Sequence, residues 1–291
     1  RFSQSSAAFE SRRQELLGLL LQGLAHYRPT VRQEALLVTG KLLYESPVLP
    51  MEEKARLFAL SYRKLLFLIH EAPVQDDGLT FFYRAAALAH INRFISLWRM
   101  DHGPFAFTCP RRVAFFPGTF DPFTLSHKGI VHAIRDLGFE VYLAVDEFSW
   151  SKKAQPHLVR RQIVSLSVAG DFHVHLFPDD IPINIANPAD LKRLREIFAE
   201  QEVYIVAGSD VVHNASSYKK EPEENSIHGF NHLIFRRAGD ARPGEIYECI
   251  TGKVEELELP KSLEDISSTK IRENIDKHRD ISSLIDPVVQ E

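Results

Sequence analysis

Eleven residues, Pro117-Gly118-Thr119-Phe120-Asp121-Pro122-Phe123-Thr124-Leu125-Ser126-His127, are the densest concentration of chemistry in this chain. They follow a short apolar run, Val113–Phe116, of buried-strand type, and precede Lys128–Leu137, which can continue as a helix. A Gly-Thr turn between a strand and a helix offers backbone N–H groups to a phosphate. Gly118 permits close approach of the backbone, and Thr119 adds a hydroxyl and an N–H. Asp121-Pro122 turns the chain. His127, in the first helical turn, can donate to a phosphate oxygen and stabilise charge that builds during displacement at phosphorus. Far downstream, Ile266-Ser267-Ser268-Thr269-Lys270-Ile271-Arg272 forms a second hydroxyl-rich helix start. Ser268 and Arg272 lie one turn apart on the same side, where the arginine's fork of donors can grip anionic oxygens. In this order the two segments point to handling of a nucleoside triphosphate.

Three further stretches could serve such a site. Ser151-Lys152-Lys153 follows the second predicted strand, and Arg160-Arg161 opens the next helix. A solvated basic face is the alternative reading of these cations. Val203-Tyr204-Ile205-Val206-Ala207 is an apolar strand ending in Gly208-Ser209-Asp210, whose carboxylate could accept hydrogen bonds from a ribose or an amide. Tyr218, eight residues beyond Asp210, could stack on a ring. A capping aspartate and a surface tyrosine are the plain alternative. His173 and His175 alternate along a strand and so share a face, but with no third ligand at a convincing spacing no metal site is assigned.

The string Pro-Gly-Thr-Phe-Asp-Pro-x-Thr-x-x-His resembles the front motif of the (H/T)xGH nucleotidyltransferases, most closely the phosphopantetheine adenylyltransferase version. Ile-Ser-Ser-Thr-x-Ile-Arg resembles the closing motif of the same superfamily in its pyridine-nucleotide branch. The resemblance covers roughly residues 111–291. It implies a Rossmann-like fold that joins a nucleoside monophosphate from ATP or CTP to a phosphate ester and releases pyrophosphate. By this resemblance Gly118, Thr119, Phe120, Thr124, His127, Gly208, Asp210, Ser267, Ser268, Thr269 and Arg272 bind the nucleotide. Thr119, His127, Lys152 and Arg272 carry the catalytic step. Arg160, Arg161, Tyr218 and Arg237 meet the acceptor, with Arg237 placed by the similarity of Phe235-Arg236-Arg237-Ala238-Gly239 to a strand-end Arg-Pro-Gly. The implied acceptor is nicotinate mononucleotide, on three features: Gly-Ser-Asp, the ring at Tyr218 and the closing motif. Phosphopantetheine and a CTP-dependent cytidylyl transfer are the alternatives. Mg²⁺ is expected on the phosphates, with few protein ligands. One position departs from the motif: the family has glycine where this chain has Ser126, a side chain that could crowd the nucleotide. A nucleotide-binding sensor or scaffold domain with weakened catalysis is therefore the rival reading.

The elements that must position these residues are legible in the pattern. Within a helical module placed at residues 1–108, residues 7–100 read as helix after helix: Leu16, Leu17, Leu20, Leu21 and Leu24 at helical spacing, then Val31–Tyr44, Met51–His70 and Leu79–Trp98. Arg28-Pro29-Thr30-Val31-Arg32-Gln33-Glu34-Ala35-Leu36 resembles a HEAT-type second helix, so the module reads as an α-solenoid fragment or an irregular bundle that docks another domain or protein. From 109 to 291 strands and helices alternate: Val113–Phe116, Glu140–Val145, Leu158–Ala169, Phe172–Leu176, a helix opened by Asn187-Pro188, Val203–Ala207, Leu233–Phe235 and Tyr247–Ile250. That alternation predicts an α/β domain with an open, mostly parallel, Rossmann-like sheet whose ligand site lies at the carboxyl ends of its strands.

Bulk properties narrow the partners. The 291 residues carry a net charge of −4, unevenly spread: 13 basic against 10 acidic residues up to position 108, then 22 against 29. So acidic a second domain is a poor general nucleic-acid surface, and a polyphosphate would need a few cations gathered locally. The small-molecule phosphate ester is thus the expected partner, with no nucleic acid and no membrane. The longest apolar run, Leu16–Leu21, is interrupted by Gly18 and falls far short of the ~20 residues that span a bilayer. Two cysteines, Cys109 and Cys249, without a CxxC, suit reduced thiols in a cytoplasmic protein. The start at Arg1 reads as a piece of a larger protein. No GxxxxGK[ST], HExxH or GxSxG string occurs, which removes the common P-loop, zincin and hydrolase readings.

Overall fold

The computed structural model describes residues 6–70, 78–107, 110–146, 154–236, 247–258, 260–264 and 266–290. The chain divides into two compact units, Arg1–Thr108 with Val168–Phe172, and Cys109–Ser167 with His173–Glu291.

Among the described residues the first unit contains four helices: α1 (Ser6–Ala25), α2 (Pro29–Tyr44), α3 (Met51–His70) and α4 (Gly78–His102). Pro29 opens α2, where its fixed φ suits the first turn and its missing N–H costs nothing. Glu52 and Glu53 begin α3, while Arg99 and His102 end α4, each matched to the helix dipole. Leucines 21, 24, 36 and 43 pack with Phe58, Leu65, Ile91 and Phe94 in one core, and all are nearly inaccessible.

The second unit is built on a six-stranded, all-parallel sheet. Its strands are β1 (Arg112–Gly118), β2 (Glu140–Val145), β3 (Val174–Leu176), β4 (Glu202–Gly208), β5 (Asn231–Phe235) and β6 (Val254–Leu257). The spatial order β3-β2-β1-β4-β5-β6 places the reversal of strand order between β1 and β4. Helices α5 (Leu125–Asp136), α6 (His157–Val168) and α7 (Pro188–Ile197) make the crossovers of the first half. Short helices α8 (Ser209–Asn214) and α9 (Ser216–Lys219) follow β4. α10 (Lys261–Glu264) and α11 (Ser268–Asp276) come after β6. Val113, Ala114 and Phe115 of β1 are covered on both faces, which explains its near-continuous apolar run, whereas in β2 Val141 and Leu143 share the buried face and Tyr142 and Ala144 on the other are half-buried. Asn187 caps α7 through a 3.1 Å bond from the Ala189 N–H, with Pro188 in the first turn.

One expected element moves. Tyr247–Ile250 contributes no strand, and the sixth strand is Val254–Leu257, reached by a turn. It is an edge strand with Glu255 and Glu256 in it and a half-open burial pattern, so it lacks the apolar run by which the inner strands are read. His173 likewise lies before β3 with φ 62°. His175 meets Glu140 at 2.9 Å and stacks on Tyr142, so the two histidines do not act together.

Candidate active site

The ladder between β1 and β4 stops at Phe115–Ile205, whereas β1 stays paired with β2 as far as Gly118–Val145. The two central strands thus part before their carboxyl ends, which opens a crevice at the switch point of the sheet. A cavity of about 650 Å³ fills it. Gly118, Thr119, Phe120 and His127 line it from the first loop, Gly208 and Asp210 from the end of β4. Ser267, Ser268, Thr269 and Arg272 line it from the start of α11. Segments separated by more than half the domain therefore converge on one hollow.

Both glycines are crowded by neighbouring side chains. The Phe120 ring folds back over Gly118, where an added Cβ would lie 2.8 Å from the ring. At Gly208 a Cβ would come within 2.3 Å of Asp210 Oδ1 and 3.3 Å of the Phe235 ring. Phe120 itself has φ 45°, a costly backbone state for a non-glycine residue, held here by burial of its ring. The bond between Asp121 and Pro122 is cis.

His127 is oriented by a reciprocal cap. The Thr124 hydroxyl accepts the His127 backbone N–H at 3.2 Å, and the Thr124 backbone N–H donates to His127 Nδ1 at 3.0 Å. Because a peptide N–H can only donate, Nδ1 must be the acceptor, and the neutral ring carries its proton on Nε2. Three phenylalanines fix the ring plane: Phe123 stacks at 5.5 Å, Phe120 stands edge-on at 5.3 Å, and Phe116 is tilted at 6.3 Å.

The first turn of α5 has few amides to offer an anion. Leu125 N–H goes to Leu284 O at 3.0 Å, His127 N–H to Thr124 Oγ1, and Lys128 N–H to Thr124 O at 3.0 Å. Ser126 N–H is the one amide of that turn without an acceptor among the described residues. The Ser126 side chain is buried on the same helix face as Ile130 and Ile134, and the residue is not part of the cavity wall.

The closing motif is tied to the front loop. Ser268 donates to Pro122 O at 3.0 Å, and Arg272 donates to Asp121 O and to Thr269 Oγ1. Ser267 caps α11 by accepting the Lys270 N–H at 3.2 Å.

Several expected ligands are placed otherwise. Thr124 is 1% exposed and absent from the cavity wall; its hydroxyl caps α5 rather than facing a nucleotide. Arg160 does not reach an acceptor. Its guanidinium, buried at 2% exposure, donates to Gln155 O, Thr119 O and Asp146 O at 2.8, 2.6 and 2.8 Å, bracing the loops after β1 and β2. Arg161 is also buried, on Phe177 O at 3.0 Å and Asp179 Oδ1 at 2.7 Å. Tyr218 is 4% exposed within the core, so its ring has no open face for stacking. Its hydroxyl lies 3.0 Å from His232 Nε2. Lys152 and Arg237 lie outside the described residues, as does Cys109; Cys249 is a free thiol.

Other wall residues carried no motif. His157 opens α6 with Nε2 3.2 Å from Val145 O, and Ile181, Ile183 and Ile185 form an apolar stretch beyond Asp179. A His and a Pro-Ile loop have no spacing that announces them. Five aspartates (121, 146, 179, 190 and 210) share the wall with Arg272, His127 and His157. Among the described residues no three His, Cys, Asp or Glu side chains are grouped to hold a metal, and no helix is long and apolar enough to cross a membrane.

The sequence model of the cytidylyltransferase-like family matches residues 115–274, and the chain belongs to that family of nucleotidyltransferases. Among solved structures, it is similar to Plasmodium falciparum nicotinic acid mononucleotide adenylyltransferase. In its complex with NaAD that enzyme is 19% identical with a TM-score of 0.52, over 61% of this chain and 92% of the other. In the complex with APC the identity and shares are the same and the TM-score is 0.50. At that identity the likeness establishes the fold and nothing finer. No curated protein matches the chain.

Proposed function

We propose that this chain transfers AMP from ATP to a phosphate-bearing small-molecule acceptor and releases pyrophosphate, with nicotinate mononucleotide as the leading acceptor. The observation that carries the reading is the convergence of Gly118–His127, Gly208–Asp210 and Ser267–Arg272 on one cavity at the strand-order reversal. A phosphate oxygen of the acceptor attacks the α-phosphorus of ATP, a new P–O bond forms, the bond to the β-phosphate bridge breaks, and pyrophosphate leaves. No protein nucleophile is needed, because positioning and charge stabilisation can carry such a step. The Nε2 proton of His127 and the guanidinium of Arg272 would meet phosphate oxygens, and Lys152 is proposed to join them. Mg²⁺, bound to the phosphates, would supply charge neutralisation. The hard oxygens of the wall aspartates other than the buried Asp121 fit a cation that arrives with its nucleotide better than a protein cage.

Nicotinate mononucleotide is supported by Gly208-Ser209-Asp210, by the closing motif and by the nicotinic acid mononucleotide named for the neighbour. Tyr218, buried, no longer speaks for it. The test is pyrophosphate release from ATP or CTP with nicotinate mononucleotide, nicotinamide mononucleotide and phosphopantetheine, repeated with His127→Ala. Turnover with one acceptor, lost in the variant, is the expected result. ATP binding without turnover on any acceptor would replace the enzyme by a nucleotide sensor or scaffold.

A further inference from the structure

Of the five aspartates on the cavity wall, Asp121 alone is buried. It is 4% exposed, its Oδ2 is buried without a hydrogen-bond partner, and it lines the same cavity as His127 and Arg272. A carboxylate buried without donors is costly unless a cation offsets it. The cation in reach is Arg272, whose Nη1 stands 3.7 Å from Asp121 Oδ2 while donating to the Asp121 backbone oxygen. That distance is an ion pair without a hydrogen bond: the two charges attract, yet the guanidinium's donors are not taken by the carboxylate. Arg272 keeps 31% of its side chain exposed, so a ligand can reach it.

We infer that Asp121 is an internal counter-anion that competes with the nucleotide's phosphates for Arg272, and so limits how tightly the site holds ATP and pyrophosphate. The inference rests on the adenylyl-transfer reading above. Without ligand, the carboxylate steadies Arg272 over the front loop. With ligand, an incoming phosphate must outbid Asp121 for the guanidinium and lies close to its negative charge. Both effects weaken the hold on a polyanion and favour departure of pyrophosphate. A direct role for Asp121 as ligand of a divalent cation fits less well, because Oδ2 is shut off from solvent and faces a positive group.

The experiment is calorimetric titration of ATP and of inorganic pyrophosphate, with and without Mg²⁺, into the full chain. The variants are Asp121→Asn, Arg272→Gln and the pair. Asp121→Asn should bind both ligands about three- to tenfold more tightly than wild type. In the Arg272→Gln background that gain should shrink, because the counter-anion acts through the arginine. Tightening is a result that general damage to the fold would not produce. Unchanged or weaker binding by Asp121→Asn, at unaltered Tm, would overturn the inference and make Asp121 scaffold or a cation ligand. Should the variant fold poorly, the wild-type chain crystallised with α,β-methylene-ATP decides the matter. Arg272 is expected to turn from Asp121 to a phosphate oxygen, and an unchanged Arg272–Asp121 pair in the complex would overturn the inference. No binding of ATP or pyrophosphate by wild type would instead remove the nucleotide reading, and this inference with it.

Discussion

Thr124 and His127 hold each other by two reciprocal bonds, 3.2 Å from the His127 N–H to the Thr124 hydroxyl and 3.0 Å from the Thr124 N–H to His127 Nδ1. The same pair therefore starts helix α5 and sets the tautomer that directs an Nε2 proton at the cavity. His127→Ala should lower kcat by about 10²–10³-fold while changing ATP affinity far less, since a donor that strengthens in the transition state is lost. Thr124→Val leaves the backbone donor to Nδ1 but removes the cap. It should cost about 1 kcal/mol of stability and slow turnover less than His127→Ala does. Single-turnover kinetics with parallel thermal melts would check both; equal losses of kcat would mean the cap, and not the imidazole proton, governs the step.

Arg160 is predicted to be a brace. Its three donors satisfy carbonyls from the loops after β1 and β2, and a lysine cannot reproduce that fork. Arg160→Lys should therefore destabilise the domain by about 2–4 kcal/mol, much like Arg160→Met, because buried carbonyls lose their donors. Urea unfolding measures the cost. A variant of normal stability with a greatly raised KM for the acceptor would restore the ligand role that the arginine's position in the sequence suggests.

The contrast between Arg160 and the strands shows which features can be read from sequence. β1 and β4 are covered on both faces, so burial writes itself into apolar runs such as Val203–Ala207. The phosphate loop and the α11 start are local turn chemistry and are also legible. Arg160 is not, because its partners are backbone carbonyls, whose identity no residue type records. Tyr218 sits at a spacing suited to an exposed ring but is buried in the core with Ile227 and Phe230, its ring against His228 and His232. Asp121 looks like a turn residue until α11 brings Arg272 to it from 151 positions away. The β6 edge fails for a different reason: a half-exposed strand can keep two glutamates.

His232 should make stability fall in mild acid. Burial depresses its pKa from 6.5 to about 4. Its Nδ1 lies 2.9 Å from Phe230 O, which can only accept, so Nδ1 carries the proton and Tyr218 O–H donates to Nε2. The unfolded chain binds the proton first, so stability is complete above about pH 6.5 and is lost as pH falls toward 4. Between pH 7 and 5 the loss should be about 2 kcal/mol, as the difference in bound protons requires. Denaturant melts of wild type and His232→Gln at those two pH values test this, and an equally steep pH dependence in the variant would assign it to other groups.

Lys128 and Asp286 form an ion pair in which both side chains are largely covered, beside the Leu125–Leu284 backbone bond. Residues 284–286 thus hold the first turn of α5 on either side of His127. Lys128→Met or Asp286→Asn alone leaves one charge buried and should cost about 3 kcal/mol. The double variant should cost less than the sum of the two. Calorimetric melts of the three variants suffice, and strictly additive losses would show that the pair is not coupled.

Ser126→Gly bears on whether the departure from the family glycine matters. The serine side chain points with Ile130 and Ile134 into the packed face of α5, and the amide at 126 is the group of that turn left for a phosphate. A serine and a glycine present the same N–H. The substitution should therefore leave kcat/KM within about twofold of wild type, while lost helix propensity lowers stability by about 0.5 kcal/mol. Steady-state rates with the acceptor identified by the panel assay measure the first quantity, and thermal melts the second. A tenfold or greater gain in kcat would falsify the placement of the serine away from the nucleotide, since only relief of crowding in the cavity could produce it.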